Sequence, residues 1–243
     1  MTFYYFFPLA ISISLLLSAV FVKIFRALLF SLGFKRLFPV LYIAVHVHEV
    51  LHYLMALIFL KWPKYEGVKV HKTAKGLSIQ GGVSIKKISY KALMYNMLNG
   101  SFVLEAIYFV HELLTGFFVG FAPVIFPYLV LYFFLLSQGV SFDVFDIQNL
   151  QNLQDLQNQE LKELLPWGKL LLFSPLIFFS ALVASPSWAD IKQTLPLFVL
   201  LFFIPIPEIF SQFLLLLSFL LFFGIILFSV LFFLRLLVVF LRR

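Results

Sequence analysis

Three residues stand close enough in this chain to do chemistry together: His48, Glu49 and His52, in the stretch His48-Glu49-Val50-Leu51-His52. On a helix, positions i and i+4 lie one turn apart on the same face. Both imidazoles can therefore offer a nitrogen to one metal ion. Glu49 is then placed to take a proton from a water molecule activated there, which is the chemistry of metal-assisted hydrolysis. The flanks, Leu41 to Val45 and Leu54 to Leu60, are almost wholly apolar. Three ionisable groups in such a helix are costly, and by default they mark a functional site. The plainer alternative is that the histidines are satisfied by neighbouring helices, and these flanks disfavour it.

The helix that must carry these residues belongs to an unusually apolar chain. Of 243 residues 63% are hydrophobic, 34 are Phe and 12% are charged, about half the charged share of a soluble domain. Several runs approach the roughly 20 apolar residues that cross a bilayer as a helix. They are continuous rather than alternating, which points to helices and not to a barrel. The expected fold is an all-α polytopic membrane protein of about six transmembrane helices, with a short β-hairpin or β-loop after the second. The net charge of +7 does not imply a nucleic-acid partner. The basic residues sit at ends of apolar runs and in one connection, as topology signals and lipid-headgroup contacts do. The absence of Cys excludes disulfides, thiolate metal sites and a Cys nucleophile. A metal must then be held by His and carboxylate oxygen, which suits Zn2+.

The chain reads as one membrane domain, 1–243. A first span covers 3–22 and is expected to be retained rather than cleaved. The second, 38–60, carries the His-Glu-x-x-His motif. Over 62–88, Val68, Val70, Leu77, Ile79, Val83 and Ile85 alternate with polar residues, and Gly76, Gly81 and Gly82 interrupt them, the pattern of a β-loop. A helix follows at 89–112, a span at 117–136 and an amphipathic segment at 140–165. A short span at 169–184, a helix at 187–205 and a last span at 208–240 complete the order. Lys61 to Lys91 holds eight lysines, against Lys23, Arg26, Lys35 and Arg36 after the first span. That bias predicts a multi-pass protein of the cell membrane with Met1 and the β-loop on the cytosolic side.

Zinc needs a third protein ligand and an open position. The acids near apolar runs are Glu105, Glu112, Asp143, Asp146, Asp190 and Glu208. Asp143 and Asp146 open a Gln/Asn-rich stretch, where acids are ordinarily solvated. Asp190 follows Ser185-Pro186-Ser187-Trp188-Ala189 between two short apolar runs, so Pro186 breaks the chain close to it. Ser187 is expected to cap a new helix by accepting from the Asp190 amide. A break at membrane depth is tolerated where it is buried in protein or lines a cavity. The ligand role is favoured over that of an ordinary acid in a first helical turn. His46 lies across the helix from His48 and is left out of the site. His111-Glu112 has no partner at i+4 and starts no second motif.

With these residues in hand, the chain resembles the site-2 protease family of intramembrane zinc metalloproteases over the second helix through Ile191. The resemblance rests on His48-Glu49-Val50-Leu51-His52 in a membrane helix, on the Gly-Gly β-loop after it, and on a distal Asp at a helix break. The family's usual second motif, Asn-Pro-Asp-Gly or Leu-Asp-Gly, is absent. Pro186-Ser187-Trp188-Ala189-Asp190 instead resembles the Pro-Ser-x-x-Asp motif of divergent prokaryotic relatives. The resemblance implies His48, His52 and Asp190 on zinc and Glu49 as general base. It further implies Gly81, Gly82 and Val83 in a loop that presents substrate as a strand, and Asn99 near the scissile carbonyl. The implied substrate is a transmembrane segment of another protein in the bilayer; the oligomeric state is open. Two other classes remain: a relative that only binds metal or a partner, and an ion or proton transporter.

Overall fold

No glycine falls between Phe6 and Ser31 and the one proline, Pro8, stands in the first turn, where it is tolerated, so a single helix, α1 (Phe6–Ser31), occupies the stretch. The computed structural model describes residues 6–31, 37–73, 76–85, 95, 102–140, 164–198 and 208–241. At 26 residues α1 is about 39 Å long. It runs past the end expected at Val22, so Lys23 and Arg26 lie inside it, both exposed. Their flexible stems let the charged heads leave an apolar surface without breaking the helix.

Helix α2 (Phe38–Ile58) has Pro39 in its first turn, where no N–H is needed. It closes with Leu60 in the left-handed region at φ 55°. The Lys61 N–H donates to the Ala56 carbonyl and the Leu60 N–H to that of Leu57, both at 2.9 Å. That pair of bonds is the Schellman ending, with Leu where Gly is usual. Strands β1 (Lys64–Thr73) and β2 (Gly76–Ser84) then form an antiparallel hairpin.

The hairpin contains a bulge. Tyr65 pairs with Val83 and Gly67 with Gly82, so Glu66 is an extra residue. Gly67 has φ +78°, which a side chain would strain. Val68 pairs with Gly81 and Val70 with Ile79, and this face of the hairpin lies against α2. Without the extra residue, alternation would turn Glu66 toward α2 and Tyr65 away. The bulge reverses them.

Helix α3 (Phe102–Ser137) joins the end of the helix expected at 89–112 to the span expected at 117–136, while positions 89–94 and 96–101 lie outside the described residues. Leu113, Leu114 and Thr115 continue the helix, Gly116 and Gly120 are buried in it, and α6 presses on it at Gly120. The span expected at 169–184 is instead two pieces, α4 (Leu164–Leu172) and α5 (Ser174–Ala184), separated at Phe173 ahead of Pro175. After Ser185, Pro186 and Ser187 comes α6 (Trp188–Phe198), and last α7 (Glu208–Leu241). The remainder of the helix expected at 187–205 and most of the amphipathic segment expected at 140–165 lie outside the described residues.

α3 packs on α2, α5 and α6, while α1 packs on α7 and α5. The shared core includes Phe21, Tyr128, Leu131, Ile177, Phe213 and Leu214. Polar groups within it pair across helices at two places: Ser14 Oγ donates to the Leu214 carbonyl at 3.0 Å and meets Ser218 Oγ at 2.7 Å, and Ser18 pairs with the Tyr128 hydroxyl. Such bonds fix the rotation of apolar helices against each other. Among the described residues four helices are long and apolar enough to cross a membrane, in α1, α2, α3 and α7, and α5 is a shorter apolar helix. These four correspond to the spans expected at 3–22, 38–60, 117–136 and 208–240, the short span expected at 169–184 is divided at Phe173, and the expected six are not reached among the described residues.

Candidate metal centre

His48 and His52 lie one turn apart on the buried face of α2, as i, i+4 spacing requires. Their Nε2 atoms are 3.1 Å apart. Asp190, from the first turn of α6, reaches them with its carboxylate. Oδ2 lies 3.4 Å from His48 Nε2 and Oδ1 3.2 Å from His52 Nε2. All three residues are buried. Among the described residues they form the one group of His, Cys, Asp or Glu side chains close enough to share a metal ion.

The rings' other nitrogens decide what the cluster can do. His48 Nδ1 lies 2.7 Å from the Val183 carbonyl, and His52 Nδ1 lies 2.6 Å from that of Val119. A carbonyl only accepts, so each Nδ1 carries the proton. When the rings are neutral, each therefore turns an Nε2 lone pair toward the carboxylate. Three electron-rich groups facing one another repel unless a cation or a proton lies among them. Nitrogen or oxygen ligands at about 2.0–2.1 Å from a tetrahedral zinc stand about 3.3 Å from each other. The observed separations of 3.1, 3.2 and 3.4 Å are close to that edge length. The residues fit the ion.

Asp190 is delivered by the chain break. Ser187 Oγ accepts from the Asp190 amide at 3.2 Å, as the sequence predicts, and the Ser187 N–H donates back to Asp190 Oδ2 at 2.6 Å. This reciprocal capping leaves Oδ1 and the outer lone pairs of Oδ2 for the imidazoles. Thr194 Oγ1 bonds the Asp190 carbonyl at 2.9 Å. Its methyl sits where a Cβ on Gly120 of α3 would be, 2.8 Å away, so only a glycine lets α6 approach this closely.

Glu49 points from the same helix toward the hairpin. A Cβ at Gly81 would stand 2.6 Å from Glu49 Oε1, so the bare backbone of β2 passes directly over the carboxylate. Gly82 faces the other way, against Glu66, and Val83 pairs with Tyr65. Tyr65 is a residue the sequence reading missed. Its hydroxyl meets His46 Nδ1 at 2.7 Å, and its ring stands edge-on to both His46 and Tyr53. Burial first, then the nearby Glu49 and Tyr42, raise the Tyr65 phenol above its ordinary value, so at neutral pH it is an uncharged hydroxyl.

His46 thus belongs to the hairpin contact and not to the cluster. Glu112 pairs with Lys61, and Glu105 and Glu112 supply nothing to the cluster. Asn99, Asp143 and Asp146 lie outside the described residues.

Fold and site together define a class: a helical protein of membrane-crossing length with a buried His-His-Asp cluster beside a carboxylate that a β-hairpin covers. Comparison of the chain with models of known protein families, with curated proteins and with solved structures finds no match.

Proposed function

We propose that this protein is a multi-pass membrane zinc endopeptidase, similar to site-2 proteases, that hydrolyses peptide bonds within membrane-protein substrates. The observation that carries the reading is the convergence of two Nε2 lone pairs and the Asp190 carboxylate beside Glu49, among membrane-length helices. His48, His52 and Asp190 would hold the ion, leaving a fourth position open. A bound zinc supplies Lewis acidity to a water and to the scissile carbonyl. Glu49 takes the proton of the attacking water and passes it to the leaving amine. The Gly81 backbone next to Glu49 lets an extended substrate segment come close to that carboxylate. The apolar core keeps bulk water away and strengthens each of these electrostatic contacts.

The same distances also suit an imidazolium–carboxylate cluster without metal, the arrangement of a proton path. Zinc content of the purified protein separates the two. Wild type and Glu49→Gln should both carry about one zinc per chain, and Asp190→Ala much less. Cleavage of reconstituted single-span substrates should fall at least ~100-fold in Glu49→Gln, the lower range for a general base. Metal-free wild type, or wild-type cleavage by Glu49→Gln, would sink the peptidase reading.

A further inference from the structure

In an α-helix the carbonyl of residue i accepts from the N–H of residue i+4. The two carbonyls that hold the clustered imidazoles have no such claim on them, and in each case a proline is the reason. Four residues after Val119 stands Pro123, inside α3. Proline has no N–H, and its ring pushes on the carbonyl four residues before it. That carbonyl is the one accepting from His52 Nδ1 at 2.6 Å. Four residues after Val183 stands Ser187, but α5 has already ended at Ala184, with Ser185 extended ahead of Pro186. The Ser187 N–H turns to Asp190 Oδ2 instead, at 2.6 Å. The Val183 carbonyl is left for His48 Nδ1, at 2.7 Å.

We propose that Pro123 is a positioning residue of the cluster: by releasing the Val119 carbonyl from helical pairing it holds His52 in the Nδ1–H tautomer. A neutral imidazole in water prefers its proton on Nε2. Without a committed acceptor at Nδ1, His52 would put that proton on the atom facing His48 and Asp190, and would be unable to bind an ion there. With Ala at position 123, the new N–H draws the Val119 carbonyl back along the helix axis and away from the ring. Pro127, one turn on in the same helix, is the internal control. The carbonyl it releases is that of Pro123, which neither clustered histidine uses. A role confined to bending α3 would make the two prolines similar; the tautomer role makes them different.

The affinity arm of the test rests on the zinc reading, whereas the tautomer arm stands without it. Full-length protein carrying Pro123→Ala or Pro127→Ala is compared with wild type for zinc affinity, by competition with a chelator. Imidazole nitrogen NMR on metal-free protein in mildly alkaline buffer, with His52 assigned by its loss in His52→Asn, reports which nitrogen carries the proton. Pro123→Ala should lower zinc affinity by roughly 10–100-fold, the usual cost of losing an outer partner of a histidine ligand. It should also move the His52 proton toward Nε2, while Pro127→Ala resembles wild type in both. Equal effects of the two substitutions would overturn the proposal. So would wild-type His52 protonated on Nε2, a measurement that decides the matter even if Pro123→Ala fails to fold. Absence of zinc binding by wild type would remove the metal reading while leaving the tautomer comparison decisive.

Discussion

Gly81 has no side chain where β2 crosses the Glu49 carboxylate, and that absence is testable. A methyl there would stand 2.6 Å from Oε1 and 2.7 Å from Cδ, closer than nonbonded atoms come. The nearest obstructing atom is Glu49 Cγ, and it and the carboxylate belong to one rotatable side chain, so Gly81→Ala should turn Glu49 to another rotamer, with β2 giving way slightly. Zinc content and thermal stability should stay near wild type while cleavage falls about 10–100-fold, since displacing a reacting group by about 1 Å has costs of that order. Unchanged cleavage would mean Glu49 does not act from this position. At this scale much of the site was legible. Spacing alone puts His48 and His52 on one face, and Ser187 with Asp190 three residues on announces the cap. Tyr65 was not legible, because counting back along β1 by twos puts Glu66 on the α2 face; only the extra residue before Gly67 reverses the count. The partners of the imidazoles were hidden for another reason: an acceptor carbonyl leaves no trace in its own residue type. Pro123 was the trace, and it was four residues away.

Between elements, the cluster depends on how closely α6 lies on α3. Gly120 is the contact, with Thr194 Cγ2 at 2.8 Å and the Asp190 carbonyl at 3.3 Å from where a Cβ would be. Gly120→Ala should push α6 outward and carry Asp190 away from His48 and His52. Overpacking of this kind typically costs about 1–3 kcal/mol, and zinc affinity should fall with it. Thr194→Ser removes the obstructing methyl and keeps the hydroxyl that bonds the Asp190 carbonyl at 2.9 Å. The double variant should therefore bind zinc more tightly than Gly120→Ala alone. Additive losses in a double-mutant cycle by chelator competition would show that this contact does not set the approach. Gly116 and Gly120 weaken a helix in isolation, yet both are buried within α3, and α6 occupies the space beside Gly120. Tertiary packing holds together a helix that local propensity would divide.

For the molecule as a whole, three facts bear on the direction in which the chain is expected to cross a bilayer. Lys61 pairs with Glu112 and His52 bonds Val119, so successive points along α2 meet earlier points along α3, and the two helices run antiparallel. The hairpin follows the end of α2, and the end of α3 near Gln138 therefore lies at the opposite face. Finally, α1 extends to Ser31 and takes Lys23 and Arg26 into its own length. Only Lys35 and Arg36 are left in the connection to α2, against eight lysines from Lys61 to Lys91. The structure thus sharpens the charge asymmetry that retains a segment in the cytosol. The hairpin is expected on the cytosolic side and Gln138 on the other. The chain has no cysteine, so single probes need no background removal. Lys69→Cys and Gln138→Cys replace exposed residues and can be labelled with a membrane-impermeant maleimide in sealed vesicles of known orientation. Lys69→Cys should react only in inside-out vesicles and Gln138→Cys only in right-side-out ones. Reaction of both from one side would mean that α3 does not cross the bilayer. Exchange of the two patterns would invert the orientation and place the covered Glu49 toward the outer face.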